Sequence, residues 1–185
     1  MSSLQHPLVV AADRLAEAAH RRVNQLQPYT GLPYIAHPRE VAALVAQFIA
    51  TPEVIAGALV HDCIADTDET EASITGALGN EVAHYATELT EQYEHGWTRS
   101  RKATSEAARL SSISRNGKSI KCADVTVNVR SIVERSPGFA RVYVPEKRLI
   151  LPSLLGAHPE LYRLAAEAVE SAERKLAQLP KKPRP

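Results

Sequence analysis

Only two cysteines, Cys63 and Cys122, occur in the 185 residues, too few for a disulfide framework. Both read as small buried hydrophobes of a chain kept in a reducing, cytoplasmic compartment. No apolar run approaches the roughly 18 residues of a membrane span. The segment Met1 to Pro7 has neither the basic nor the apolar stretch of a signal peptide. Charge of one sign is missing too: 22 Lys and Arg against 21 Asp and Glu leave a net +1. No global field therefore points to nucleic acid or membrane as a partner. The basic run Lys181-Lys182-Pro183-Arg184 reads as a solvated tail. Alternating strand patterns, internal repeats and low-complexity blocks are absent as well. A length of 185 residues suits one domain with a sizeable core.

What remains is helical periodicity, which predicts an all-α, single-domain bundle over residues 9–179, with tails 1–8 and 180–185. A first helix is expected from Val9 to Asn24, with Leu15, Ala18, Ala19 and Val23 on one face. Gln25 to Ala36 is a loop marked by Pro28, Gly31 and Pro33. A second helix begins near Pro38. Thr51-Pro52-Glu53 is a helix start, and the helix it opens is expected to carry Ile55, Leu59, His61 and Asp62. Further helices are expected over Glu71 to Leu78, Asn80 to Gln92, Arg101 to Ser114 and from Gly117 through Val133. Pro137-Gly138 is read as a break, with last helices over Pro145 to Leu155 and Pro159 to Leu179. Trp97, in the loop from His95 to Ser100, suits either an anchor or a lid residue.

The pair His61-Asp62 stands out in the apolar run Ala58-Leu59-Val60-His61-Asp62-Cys63-Ile64. A charge placed where side chains should bury needs a partner or a metal. His37, in Tyr34-Ile35-Ala36-His37-Pro38, and Asp124, in Lys121-Cys122-Ala123-Asp124, complete a nitrogen/oxygen set. Two imidazoles and two carboxylates suit Mn, Fe, Co or Zn better than Ca or Mg. His20 and His84, without such company, are read as core histidines.

Several motifs in register carry a resemblance. They are Gly31-Leu32-Pro33-Tyr34-Ile35-Ala36-His37-Pro38, Ala58-Leu59-Val60-His61-Asp62, Lys121-Cys122-Ala123-Asp124-Val125-Thr126-Val127-Asn128 and Tyr143-Val144-Pro145-Glu146-Lys147. In this order the chain resembles the HD-domain superfamily, and more closely its alarmone-hydrolase branch of Rel/SpoT hydrolase halves and stand-alone Mesh-type enzymes. The resemblance implies an Mn2+-dependent hydrolase that removes pyrophosphate from the 3′ position of guanosine tetra- or pentaphosphate. It implies His37, His61, Asp62 and Asp124 as metal ligands, and Asp66 as the second member of the family's Glu-Asp pair. Asn128 and Tyr143 then fall on substrate-contacting positions. Asp66 lies four residues after Asp62, on the same helix face, where a carboxylate can orient water or move a proton. Phosphate contacts are sought among Lys121, Arg101, Lys102, Arg115, Lys118 and Arg22, since a polyphosphate needs several converging cations.

Two positions depart from the family pattern. Ala65 stands where glutamate is usual, and losing one acid/base group costs about 10²–10⁴-fold. The loop Asn24-Gln25-Leu26-Gln27-Pro28-Tyr29 lacks the family's arginine and lysine, leaving Arg21 and Arg22 one turn away and Tyr29 as a stacking face. The base is therefore open between guanine and adenine. Hydrolysis of a different nucleotide on the same scaffold, or nucleotide binding without turnover, stand beside the leading reading. A purely structural adaptor would leave His37, His61, Asp62 and Asp124 unexplained together.

Overall fold

The computed structural model describes residues 3–28, 30–94 and 96–180; Tyr29, His95 and the run Lys181-Lys182-Pro183-Arg184 lie outside them. Helices account for the architecture: α1 (Pro7–Arg22), α2 (Ala36–Val45), α3 (Pro52–Val60), α4 (Cys63–Asp66), α5 (Glu71–Leu78), α6 (Asn80–Leu89), α7 (Arg99–Ser112), α8 (Arg115–Arg135), α9 (Pro137–Ile150) and α10 (Pro159–Gln178). Short 3-10 turns cover Ser3–Gln5 and Leu151–Leu154. Among the described residues there is no strand, only an isolated bridge between Leu26 and Pro33 that closes the α1–α2 loop. None of these helices is long and apolar enough to cross a membrane.

Local chemistry explains most helix starts. Pro7, Pro52, Pro137 and Pro159 open α1, α3, α9 and α10, where a missing N–H costs nothing. The Thr98 and Ser114 hydroxyls accept from the N–H groups of Arg101 and Gly117 at the starts of α7 and α8. Thr70 and Ser73 form a reciprocal capping box on α5.

Two expectations need correction. Pro137-Gly138 ends α8 as expected, but α9 already starts at Pro137, so Pro145, expected to open that helix, lies inside it on its exposed face. The missing N–H of Pro145 frees only the carbonyl one turn back, which solvent can satisfy. The helix opened by Thr51 also stops earlier than expected: α3 ends at Val60, and His61 and Asp62 sit in the turn before α4. There the His61 Nδ1 lies 2.8 Å from the carbonyl of Ala58, the group that a continuous helix would offer to the N–H of Asp62.

The core is organised around α3, apolar on every face, and around the buried middle of α8. Every residue of α3 from Val54 to Val60 is buried, and α3 packs on α1, α2 and α6. On α8 the run from Ser119 to Thr126 is buried, and this helix packs on α2, α9 and α10. Gly57 allows α6 to approach α3 closely: a Cβ there would stand 2.8 Å from Cδ2 of Tyr85. The start of α2, the end of α3 and the middle of α8 thereby meet at one point.

Candidate metal centre

His37 comes from the first turn of α2, His61 and Asp62 from the α3–α4 turn, and Asp124 from the buried middle of α8. One ligand atom from each of His37, His61 and Asp62 lies within 4.8 Å of the other two. Asp124 adjoins this group: its Oδ1 is 3.2 Å from His37 Nε2 and 3.9 Å from His61 Nε2. The Asp62 Oδ2 is 3.1 Å from His61 Nε2 and 3.8 Å from His37 Nε2. Both Nε2 atoms are buried without a hydrogen-bond partner. Such orphaned polar atoms are costly unless something else satisfies them. The His61 Nδ1 lies 2.8 Å from the Ala58 carbonyl and donates its proton there, so Nε2 is the nitrogen that turns toward the carboxylates and would ligate a cation once deprotonated. The donor set therefore fits a divalent transition metal.

A second layer orients the carboxylates. The Tyr34 hydroxyl donates to Asp62 Oδ2 at 2.5 Å, and Asn128 Nδ2 donates to Asp124 Oδ1 at 2.5 Å. The Lys121 ammonium stands 3.0 Å from the other Asp124 oxygen. Burial disfavours the Asp62 and Asp124 anions, but His61 beside Asp62 and Lys121 beside Asp124 outweigh it, holding both carboxyls below the usual range. Burial pushes the His61 imidazole down, yet the Asp62 and Asp124 charges prevail and raise it to about 9.

That balance has a measurable consequence. The neighbouring carboxylates favour a proton on His61, and a bound cation must displace it. Protons compete less as pH rises, so the apparent Kd for Mn2+ should fall about tenfold per pH unit between about pH 6.5 and 8. Calorimetric titration at three pH values checks this; a flat Kd would show that no ligand proton is exchanged.

Two clefts flank the centre. One of about 520 Å³ lies between α2, α8 and the α1–α2 loop, and His37, Asn128, Arg130 and Arg135 line it. The other, of about 300 Å³, lies between α7 and α9 and is lined by Tyr143, Lys102 and Lys147 among others. Phe139 lines both, so they meet at its ring.

The anticipated residues distribute unevenly around this geometry. Asn128 faces the larger cleft and Tyr143 and Lys102 the smaller, with the Lys147 ammonium 4.6 Å from the centre of the Tyr143 ring. Asp66 is exposed on α4, and partial desolvation raises its carboxyl above the ordinary range while a hydrogen bond from Gln25 lowers it. Ala65 is exposed on α4. Lys121 is buried and lies between Asp124 and Glu106, 3.0 and 3.7 Å away. Arg101 stacks on Trp97, with its guanidinium 4.1 Å from the ring centre, and Arg22 pairs with Glu69. Arg115 is exposed, and Lys118 donates to the carbonyls of Ser111 and Leu155. His20 is buried as expected, whereas His84 is exposed and lies 3.2 Å from Glu88. Arg130, Arg135 and Lys147 were not anticipated as lining residues. The spacing Asp124, Asn128, Ser131, Arg135 does put Arg135 on the face of α8 that carries the aspartate.

Comparison with known proteins agrees with this architecture. A family model described as HD domain matches residues 12–142. The guanosine-3′,5′-bis(diphosphate) 3′-pyrophosphohydrolase MESH1 of Homo sapiens is 30% identical over 139 residues, 74% of this chain and 75% of that protein. A GTP pyrophosphokinase of Myxococcus xanthus is 42% identical over 55 residues, but the match spans 30% of this chain and only 7% of that protein's length. The solved structure of a metazoan ortholog of SpoT that hydrolyses ppGpp superposes with a TM-score of 0.78 at 21% identity, covering 89% of this chain and 95% of that one. With the paired histidine and aspartate at the α3–α4 turn and its partners on α2 and α8, the chain belongs to the HD-domain family, on the branch of the MESH1-type proteins.

Proposed function

We propose that this protein is an Mn2+-dependent hydrolase that removes the 3′-pyrophosphate from guanosine or adenosine tetra- and pentaphosphates. The observation that carries this reading is the pair of buried, unpartnered imidazole nitrogens facing carboxylates beside an open cleft. The 3′-pyrophosphohydrolase named above supplies the substrate class, since three quarters of its length aligns with this chain.

His37, His61, Asp62 and Asp124 hold the cation, which when bound acts as a Lewis acid that lowers the pKa of water and neutralises phosphoryl charge. Tyr34 and Asn128 fix the orientation of the two ligating carboxylates through the hydrogen bonds they donate. Asp66, with its carboxyl raised by partial desolvation, orients the attacking water and takes up its proton. Tyr143 meets the ribose of the nucleoside near Phe139, where the two clefts join, and Lys102 meets phosphate in the smaller cleft, with the base in the larger one. Lys121 acts through Asp124 rather than on substrate. Arg101 and Arg22, each held by a surface partner, stand in reserve for phosphates beyond the clefts. The two buried, unpaired cysteines suit a cytoplasmic setting.

The larger cleft favours a permissive base site. Among the described residues the loop side of that cleft presents Gln27, Pro28, Thr30 and Leu32 and no cation, and the only cations lining it, Arg130 and Arg135, come from α8. Guanosine and adenosine 3′-pyrophosphates should then be turned over with kcat/KM values within about tenfold of each other, since no buried polar contact rejects either. Release of pyrophosphate from both, measured side by side with Mn2+, tests this. Binding of either nucleotide without release would favour the non-turnover reading instead.

A further inference from the structure

The side chain of Gln25 is held at both ends. Its Oε1 lies 2.6 Å from Nδ1 of the buried His20, and its Nε2 lies 2.9 Å from Oδ2 of Asp66. On the far side of the imidazole, His20 Nε2 is 3.8 Å from the Cys63 sulfur. The backbone of Gln25 is fixed as well: its N–H donates to the carbonyl of His20, and its carbonyl accepts from the N–H of Tyr34. Asn24 just before it takes the left-handed conformation, with φ of 52°, which turns the chain back toward α4.

The direction of this chain of hydrogen bonds follows from its ends. An ionised Asp66 only accepts, so the Gln25 atom facing it is the amide nitrogen. The amide oxygen then faces His20, whose Nδ1 must carry the proton. That leaves Nε2 as an acceptor for the Cys63 thiol. Burial keeps His20 in its neutral form, and a neutral imidazole supplies the one donor and one acceptor required.

We propose that Gln25 is a positioning residue for Asp66: the directed chain Cys63–His20–Gln25–Asp66 fixes the Asp66 carboxylate beside the metal centre, so Gln25 serves the chemical step instead of gripping the nucleotide. This explains two departures in the sequence at once. The α1–α2 loop has no cation at position 25, because the side chain there is committed to Asp66. Asp66 stands without an acidic neighbour at position 65, so its orientation must come from elsewhere, and Gln25 supplies it.

The inference rests on the proposed hydrolase reading, and its test separates the two. Gln25→Leu removes both hydrogen bonds at similar volume; Gln25→Glu keeps the shape but puts an acceptor against an acceptor. Loss of an orienting contact typically costs about 10–100-fold, so both variants should lose about that much kcat while KM and Mn2+ affinity stay at the parent value. Gln25 donates to the ionised form, so the acid limb of kcat should move to higher pH in both, with Asp62, His61 and His20 still facing Asp66 as before. In the Zn2+-loaded, diamagnetic proteins, carboxyl NMR should show the same upward move in the titration of Asp66. A raised KM with intact kcat and an unmoved Asp66 titration would overturn the proposal and make Gln25 a nucleotide contact. If the parent releases no pyrophosphate, the hydrolase reading fails, and the NMR titration alone decides whether Gln25 holds Asp66.

Discussion

Asp62→Ala is expected to release pyrophosphate about 10³-fold more slowly than the parent protein, the equivalent of about 4 kcal/mol of lost transition-state stabilisation. The substitution removes one of three groups that converge on a single point, and it also strips both imidazoles of a neighbouring carboxylate. Mn2+ binding should be lost with activity. The fold should survive, because the α3–α4 turn is held by the His61 contact to Ala58 and by backbone bonds from Asp66 and Thr67 to Asp62 and Cys63. Far-UV circular dichroism, Mn2+ titration and the product assay on one preparation check all three. Retained Mn2+ binding with lost turnover would move Asp62 from ligand to acid/base group. Retained turnover would exclude the centre as the seat of the reaction.

The cluster of His37, His61 and Asp62 was conspicuous in the sequence because its members break the pattern around them. His61 and Asp62 interrupt an apolar run, and Asp124 lies in the buried stretch Ser119–Thr126 of α8; the cost of desolvating a charge makes such residues conspicuous. All helices but the short α4, and most helix starts, were legible for a similar reason, since proline and hydroxyl caps act locally. What stayed hidden depends on pairs distant in the chain. Nothing local to Lys121 reveals that Glu106, on α7, will face it, so its charge read as a phosphate contact. The early end of α3 depends on a side chain bonding to a backbone carbonyl, which periodicity does not register. Pro145 read as a boundary because its ring penalises a helix interior, yet α9 tolerates it on an exposed face. Gln25 read only as part of a loop without cations and became informative when Asp66 and His20 were found on either side of it.

Lys121→Ala is expected to be the most destabilising single change near the site. The Lys121 ammonium lies 3.0 Å from Asp124 and 3.7 Å from Glu106, and all three side chains are below 10% exposure. Removing it leaves two buried carboxylates facing one another with Arg109 alone still paired to Glu106. Breaking a buried ion pair from one side costs about 3–5 kcal/mol, because the remaining charge is stranded. Burial opposes the Lys121 charge, but Asp124 and Glu106 outweigh it and raise its pKa well above that of a free lysine. A group raised on folding contributes its full stabilisation below its unfolded pKa, so the loss should be the same at every neutral pH and shrink only when a free lysine would itself titrate. Urea unfolding of the metal-free proteins reads the difference directly. Glu106→Gln in the same background should recover part of it, since it removes one stranded charge and the two sites share a contact. Mn2+ should recover another part by neutralising Asp124, giving the variant a larger metal-induced gain in Tm than the parent. A variant as stable as the parent, with a raised KM, would instead place the Lys121 ammonium on substrate phosphate.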